Sequence, residues 1–393
     1  MRIVMVTHNF PRGEGDIPGA FLWRLAEGLV ARGHSVLAIA PSDRGDVGAD
    51  RLGGVDVRRI RYAPPSRETL AYTGTMQLSA ANPVGAVVFW RMVRALARAV
   101  AAECRQGNVH VVHAHWWVPG GLAARLAERR GRPLVLTLHG ADVALAGRVP
   151  GGRRMMASVL RPATTVTAVS SYLAAEAAHA LGVTRDKIPV TPMPLALGRT
   201  ADPDAARSGA VFVGRLTRQK GVHDLLQALG ILKRQGLSID LTIVGDGPER
   251  ANLKAQARAL ALPVVFAGYV APELVADYLQ DRRVFVLPSV QEGLGLAVAE
   301  ALTQGVPVVA TRSGGIPDLL ADPEAGILVP PGDPPSLAQA IRSVLKDDRY
   351  RVGALRAGRI LAERLSPERV AELFETLYTR TRGSRPSIPG VRA

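Results

Sequence analysis

The stretch Pro288-Ser289-Val290-Gln291-Glu292-Gly293-Leu294-Gly295-Leu296-Ala297-Val298-Ala299-Glu300-Ala301 follows a strand pattern and opens a helical one. Two glycines at such a turn let backbone amides approach a ligand, and a helix N-terminus favours phosphate oxygens. Glu292 and Glu300 would repel that anion unless their carboxylates accept hydrogen bonds from hydroxyl groups attached to it. A sugar nucleotide supplies both partners. Its diphosphate rests on the amides, one carboxylate takes sugar hydroxyls, and the other, about two helical turns along, takes the ribose. The plainer alternative is a solvated loop Glu and a Glu on a helix face.

A second turn, Gly214-Arg215-Leu216-Thr217-Arg218-Gln219-Lys220-Gly221, also lies between a strand and a helix. Arg215, as a fork, and Lys220, as a point charge, are placed to neutralise a diphosphate leaving group in the stead of a metal ion. The apolar run Leu134 to Leu138 ends at His139-Gly140, which puts an imidazole at the ligand-binding edge of a parallel sheet, with Asp142 close behind. In His113-Ala114-His115-Trp116-Trp117, two histidines at i and i+2 without a nearby carboxylate make a poor metal site, and no metal is expected. Trp116 or Trp117 either stacks on an acceptor ring or packs in the core. The first loop, Pro11 to Gly19, offers Gly15, Asp16 and Gly19 to a phosphate or an acceptor hydroxyl.

These residues need elements to hold them. Short β-branched runs alternate with helical patterns along the chain, the signature of parallel sheets with crossover helices. Strands are expected at Ile3 to Thr7, Ser35 to Ala40, Val55 to Ile60, Val109 to His113, Leu134 to Leu138 and Thr165 to Val169. Helices are expected at Phe21 to Arg32, Val87 to Glu103, Gly121 to Arg130 and Ser171 to Leu181. Periodicity lapses around Pro192 to Ser208, and a second strand series begins at Val211. The expected class is α/β, two Rossmann-like doubly wound domains facing across a cleft. A first domain spans 1–195, a hinge 196–208 and a second domain 209–365. A C-terminal helix over 366–382 and a flexible tail over 383–393 complete the chain.

The 393 residues, 47% hydrophobic, suffice for two cores. Gly 40 and Pro 28 show no three-residue period, which excludes a collagen-like fibre, and one cysteine excludes a disulfide scaffold. The net charge of +15 is concentrated in residues 1–195, which hold 24 basic and 13 acidic groups. Of the 49 basic residues 44 are Arg, so part of the excess reflects composition rather than function. The basic pattern Phe89 to Arg98 reads first as a solvated helix face and second as a surface for peripheral contact with an anionic membrane. Asp202-Pro203-Asp204 copies a metal-binding Asp-x-Asp by coincidence of its linker position. The run from Ile3 is too short for an export-signal core, so a cytoplasmic location is expected, with the inner membrane face as a variant.

Glu292 and Glu300 with their seven-residue spacer, and the Gly-Arg…Lys-Gly element of 214–221, make the chain resemble the family-4 retaining glycosyltransferases. The likeness extends to His139-Gly140-Ala141-Asp142 and Val244-Gly245-Asp246-Gly247-Pro248-Glu249. It implies a GT-B fold, a UDP- or GDP-linked sugar bound mainly by the C-terminal domain, retention of anomeric configuration and no required cofactor or metal. It assigns Arg215 and Lys220 to the diphosphate, Glu292 to the donor sugar, Glu300 to the ribose, and Gly245, Gly247, Tyr269 and Val270 to the nucleotide. His139 would lie beside the donor sugar and Asp142 toward the acceptor. The acceptor would be a hydroxyl of a glycan, a lipid or a small molecule.

Three other readings compete. A nicotinamide dehydrogenase needs a Gly-x-Gly-x-x-Gly turn that the first loop does not supply. A nucleotide-sugar epimerase shares the two-domain plan. A nucleic-acid binder would explain the charge, but the chain shows no nucleic-acid module.

Overall fold

The computed structural model describes residues 1–47, 50–72, 76, 82–196 and 207–382. It divides into two compact units: Met1–Pro194 together with the chain from Pro367 onward, and Leu195–Ser366. Of the expected hinge, positions 197–206, with Asp202-Pro203-Asp204, lie outside the described residues, as does the tail 383–393.

In the first unit, β1 (Arg2–Val6), β2 (Ser35–Pro41), β3 (Arg51–Leu52), β4 (Val55–Ile60), β5 (Val111–His115), β6 (Leu134–Leu138) and β7 (Thr165–Ala168) form one sheet. Their order is β3-β4-β2-β1-β5-β6-β7. Every pairing is parallel except β3 with β4. Ile3 stands opposite both Val36 and Val111, so β1 has a neighbour on each side. Its apolar run is what a strand covered on both faces requires. The order reverses at β1 and β5, which puts a crevice beyond their carboxyl ends.

Helix Ala20–Ala31 buries Leu22, Leu25, Ala26 and Leu29. The C-terminal helix, Pro367–Arg382, packs on it as part of the same unit. The approach is close: a Cβ on Gly28 would sit 2.6 Å from the Pro367 carbonyl oxygen, and Arg32 pairs with Glu375 at 2.5 Å. Phe374 and Tyr378 are fully buried; a phenyl ring removed from water contributes about 1.5–3 kcal/mol. The Tyr378 hydroxyl finds its partner in His113 Nδ1, 2.7 Å away.

The second unit holds β8 (Ala210–Val213), β9 (Leu241–Val244), β10 (Val264–Gly268), β11 (Val284–Leu287), β12 (Val308–Thr311) and β13 (Gly326–Val329). All are parallel, in the order β10-β9-β8-β11-β12-β13. The chain winds outward from β8 on one side and from β11 on the other, so the reversal falls between them. Helix Leu296–Thr303 packs on helix Arg349–Arg364, where Gly358 passes so near the Leu302 carbonyl that a Cβ would clash at 2.0 Å. The unit's two ends meet, Leu195 donating its N–H to the Leu365 carbonyl at 2.9 Å.

Each unit is therefore a Rossmann-like parallel sheet with crossover helices. Details depart from the expected elements. Strand β5 starts two residues later than Val109, and the helix expected to reach Arg130 stops at Leu126, where Ala127 turns extended (φ −70°, ψ 138°). Helices Ala141–Arg148, Gly152–Leu160 and Arg349–Arg364 have no counterpart among the expected elements. Arg349–Arg364 carries five arginines, and the stripe it buries is mostly glycine and alanine, which makes a weak apolar signal.

Candidate active site

The reversal point of the second unit joins the two turns singled out from the sequence. Strand β8 runs into Gly214, and β11 runs into Pro288. Lys220 closes the short 3-10 turn Arg218–Lys220, and Gly221 follows with φ 65°, where a Cβ would meet the Pro288 carbonyl oxygen at 2.0 Å. Only glycine lets the two turns touch. Val290 N–H seals them by donating to the Gln219 carbonyl at 2.8 Å.

This approach brings Lys220 Nζ to 2.5 Å from Glu292 Oε1. Glu292 is 9% exposed. The same oxygen accepts the Ser289 hydroxyl at 2.9 Å, and Thr311 Oγ1 donates to the Ser289 carbonyl at 2.5 Å. A Cβ on Gly314, whose φ is 54°, would lie 1.8 Å from the Glu292 carbonyl oxygen. The carboxylate is thus held by a cation and a hydroxyl, and its backbone by a neighbouring turn. Ser289 carries no role in the sequence pattern that contains it, and Thr311 and Gly314 lie outside every motif named above. Ser289 had a local signal, three residues before the Glu, but Gly314 becomes relevant only once β11 and β12 pair.

Helix Leu296–Thr303 begins at Gly295, which caps it with φ 86°. Glu300 therefore lies one turn inside the helix and Glu292 in the loop before it, which corrects the expectation of two residues two helical turns apart. Gly293 is half-buried, while the Leu294 side chain is buried, so that residue offers only its backbone to a ligand. Arg215 is exposed.

Beside this, β9 runs into Gly245, with φ 130° and a virtual Cβ only 2.0 Å from the Gly214 carbonyl. Gly247 is similarly tight against the Leu216 carbonyl. Asp246 accepts the Gly247 N–H at 2.7 Å and pairs with Arg250 at 2.5 Å; the Gly247 hydrogen bond first, then Arg250, hold its carboxyl below the ordinary range against the opposing effect of burial. Tyr269 is 59% exposed at the end of β10, with Val270 half-buried next to it.

In the first unit, His139 stands at the end of β6 and His115 at the end of β5, the adjacent strand. His139 Nε2 and His115 Nδ1 are 3.0 Å apart. The His139 ring lies 4.3 Å from Trp116 and 5.4 Å from Phe21, centroid to centroid, and Trp116 meets His8 edge-on at 4.5 Å. Burial drives His115 down to about 3 and His8 to about 4. Burial, with His115 and His8 as neighbours, also pushes His139 well below its ordinary value. These imidazoles are neutral near pH 7 and act as hydrogen-bonding groups rather than cations.

Two assignments to the acceptor side are corrected here. Asp142 is 3% exposed, and its carboxylate accepts the N–H groups of Trp117, His139 and Gly140 at 3.0, 3.2 and 2.9 Å. Burial raises its pKa while those hydrogen bonds oppose the rise. It ties the end of β6 to the turn after β5 and is not turned outward. Trp116 and Trp117 are 8% and 4% exposed, and the Trp117 indole donates to the Asp142 carbonyl at 2.7 Å. Both rings pack internally, Trp116 at the unusual φ of 61°.

The first loop is corrected as well. Asp16 accepts the Arg12 backbone N–H at 3.0 Å and its guanidinium through Nε at 2.8 Å and Nη2 at 3.0 Å. Arg12 also reaches Asp43 at 2.5 Å. Burial raises the Asp16 carboxyl, but Arg12 outweighs it and leaves the group below its ordinary range. Asp16 therefore shapes the loop instead of presenting a bare carboxylate. Gly15, at φ 77°, opens onto free space, and Gly19, at φ 81°, starts helix Ala20–Ala31 so close to Asn9 that a Cβ would sit 2.4 Å from its carbonyl.

Among the described residues, no group of three or more His, Cys, Asp or Glu is placed to hold a metal ion, and no helix is long and apolar enough to cross a membrane.

Comparison with known proteins matches residues 206–359 to the family described as glycosyl transferases group 1 and residues 18–194 to a glycosyl transferase 4-like domain. A putative teichuronic acid biosynthesis glycosyltransferase of Bacillus subtilis is 33% identical over 63% of this chain and 65% of its own length. A D-inositol 3-phosphate glycosyltransferase of Pseudarthrobacter chlorophenolicus is 30% identical over 69% of this chain and 71% of its own. Among solved structures, HepE of Anabaena in complex with UDP and glucose superposes with a TM-score of 0.73 at 20% identity, covering 96% of this chain and 99% of that one.

Proposed function

The chain belongs to the group 1, or family-4, glycosyltransferases of GT-B fold, and from that membership we propose that it moves a sugar from a nucleoside diphosphate sugar to an acceptor hydroxyl, with retention and without a metal ion. The observation that carries this reading is the Lys220–Glu292 pair, set where β8 and β11 part and flanked by glycine turns. A fixed cation beside a fixed carboxylate suits a ligand that joins a diphosphate to a hydroxylated ring.

In this reading Lys220 and Arg215 face the diphosphate, and the amides of Gly293, Leu294, Gly295 and Leu296 assist them. Glu292 takes the sugar hydroxyls and Glu300 the ribose, while Gly214, Gly245, Gly247, Tyr269 and Val270 line the nucleotide. His139 hydrogen-bonds a sugar hydroxyl as a neutral ring. The bond from the anomeric carbon to the leaving phosphate oxygen breaks while the acceptor oxygen bonds on the same face. The acceptor proton passes to a leaving phosphate oxygen, so no side chain becomes a covalent carrier. The cations stabilise the charge that grows on the diphosphate.

UDP is the favoured nucleotide, since the HepE structure carries it, with GDP as the other. The proposed acceptor is a lipid-linked or cell-envelope glycan, in line with the teichuronic acid relative; a small-molecule acceptor is the second reading, in line with the inositol phosphate one. Helix Pro83–Arg105 exposes Val84, Val87 and Trp90 along with Arg91, Arg94 and Arg98, which supports peripheral contact with an anionic membrane from the cytoplasmic side.

The test is a panel of UDP- and GDP-sugars screened for thermal stabilisation, followed by an acceptor screen with the best donor. NMR of the product anomer reads retention, and turnover with and without a chelator reads metal dependence. A panel in which no nucleotide sugar stabilises the protein overturns the proposal. Isomerisation of the donor without acceptor would replace it with the epimerase reading.

A further inference from the structure

The edge of the first sheet opposite His139 carries an open cleft of about 770 Å³. It is formed where the chain enters β5, β6 and β7, and its walls include the turns at Gly107 and Gly131. Both glycines are left-handed, with φ 92° and 74°, and a Cβ on either would meet nothing within 4 Å. The cleft is therefore bounded by bare backbone on two sides.

Arg129, Arg132, Arg382 and His110 line it, and none of its lining residues is acidic. Arg129 Nη1 donates to the Arg132 carbonyl at 3.1 Å, and Arg132 Nη2 to the Gly107 carbonyl at 2.9 Å, which fixes both guanidinium groups against the turns. Their Nε atoms are buried and have no hydrogen-bond partner among the described residues. The nearby acid Glu103 is spoken for by Arg2 and Arg58. Burial lowers the pKa of His110, and Arg382, the N-terminal ammonium and Arg132 lower it further. That repulsion is the mark of a positive local potential.

We propose that this cleft is a second oxyanion site, distinct from the site between β8 and β11, and that it takes a phosphate or pyrophosphate group. Three forked cations call for an anion with several oxygens, because one carboxylate cannot serve three guanidinium groups. A soluble phosphate ester and a lipid headgroup both present such a group, and the same contacts serve either.

The experiment is calorimetric titration of the full chain with inorganic pyrophosphate at low salt, in a Lys220→Ala background that disables the proposed diphosphate contact of the second unit. One site per chain is expected to remain. Arg129→Gln with Arg132→Gln should weaken it at least tenfold; Arg382→Gln, an exposed position, should weaken it several-fold and covers the case in which the double variant misfolds. Cosedimentation with phosphatidylglycerol vesicles, against phosphatidylcholine, separates the sources: loss of vesicle binding in the arginine variants marks a lipid headgroup, and pyrophosphate binding alone marks a soluble ester. The proposal is overturned if Lys220→Ala abolishes all pyrophosphate binding, or if folded arginine variants bind as tightly as their parent.

Discussion

Lys220 and Glu292 are 72 positions apart in the chain and 2.5 Å apart in space. Each was assigned a separate ligand group from the sequence, and the structure makes them neighbours. The lysine proposed to meet a leaving diphosphate is thereby held in place by the carboxylate proposed to take the sugar.

Coupling follows from that contact. Lys220→Ala and Glu292→Ala should each reduce kcat/KM by about 10²–10³, and the double variant should fall little below the worse single one, because residues acting as a unit are not additive. Steady-state kinetics with the best donor checks this. Additive losses in a folded double variant would mean that the two groups act independently.

Asp142→Ala should destabilise the first unit by about 2–4 kcal/mol, since three N–H groups, two of them in buried hydrogen bonds, lose their acceptor. Urea denaturation measures it. An Asp142 that merely touched an acceptor would leave the midpoint where it was.

Acid should weaken the fold well before ordinary carboxylates titrate. His8 and His115 are neutral in the folded protein down to about 4 and 3, whereas an unfolded histidine takes its proton near 6.5. Their contribution is complete above about pH 6.5 and is lost as pH falls toward those values, at up to about 1.4 kcal/mol per pH unit for each. Asp142, raised by burial, contributes with the opposite sign. Unfolding free energies between pH 7 and 4.5 should decline, and His8→Gln with His115→Gln should flatten the curve. A wild-type slope of zero over that range would refute the assignment.

Gly314→Ala should impair transfer without touching any ligand-facing side chain. Its Cβ would enter the Glu292 carbonyl, and its φ of 54° is costly for alanine, so the Glu292 loop must shift. A shift of about 1 Å can cost on the order of 10²-fold in rate. Wild-type turnover would show that the loop accommodates the methyl group.

The two sheets and the turns that end β8 and β11 were legible because strand-turn-helix grammar and glycine placement are local. So was the placement of Lys220, Glu292 and His139 in the turns that follow strand ends. What the sequence hid are the long-range contacts. Nothing within reach of Asp142 in the chain announces that Trp117 will donate to it, and the spacing of His113 and His115 argues against a metal without hinting that His115 will meet His139. Arg12 and Asp16 stand four residues apart, a separation that in a loop says little about pairing. Burial decided these cases, and burial depends on which strands become neighbours.

The helix Pro367–Arg382 belongs to the first unit although the second lies between them in the chain. During synthesis the N-terminal lobe must wait, its seat for Phe374 and Tyr378 bare, while the whole of Leu195–Ser366 emerges and can settle first. A premature stop just after Ser366 would therefore damage the half of the molecule made earliest, leaving His113 without its phenol and helix Ala20–Ala31 without its cover.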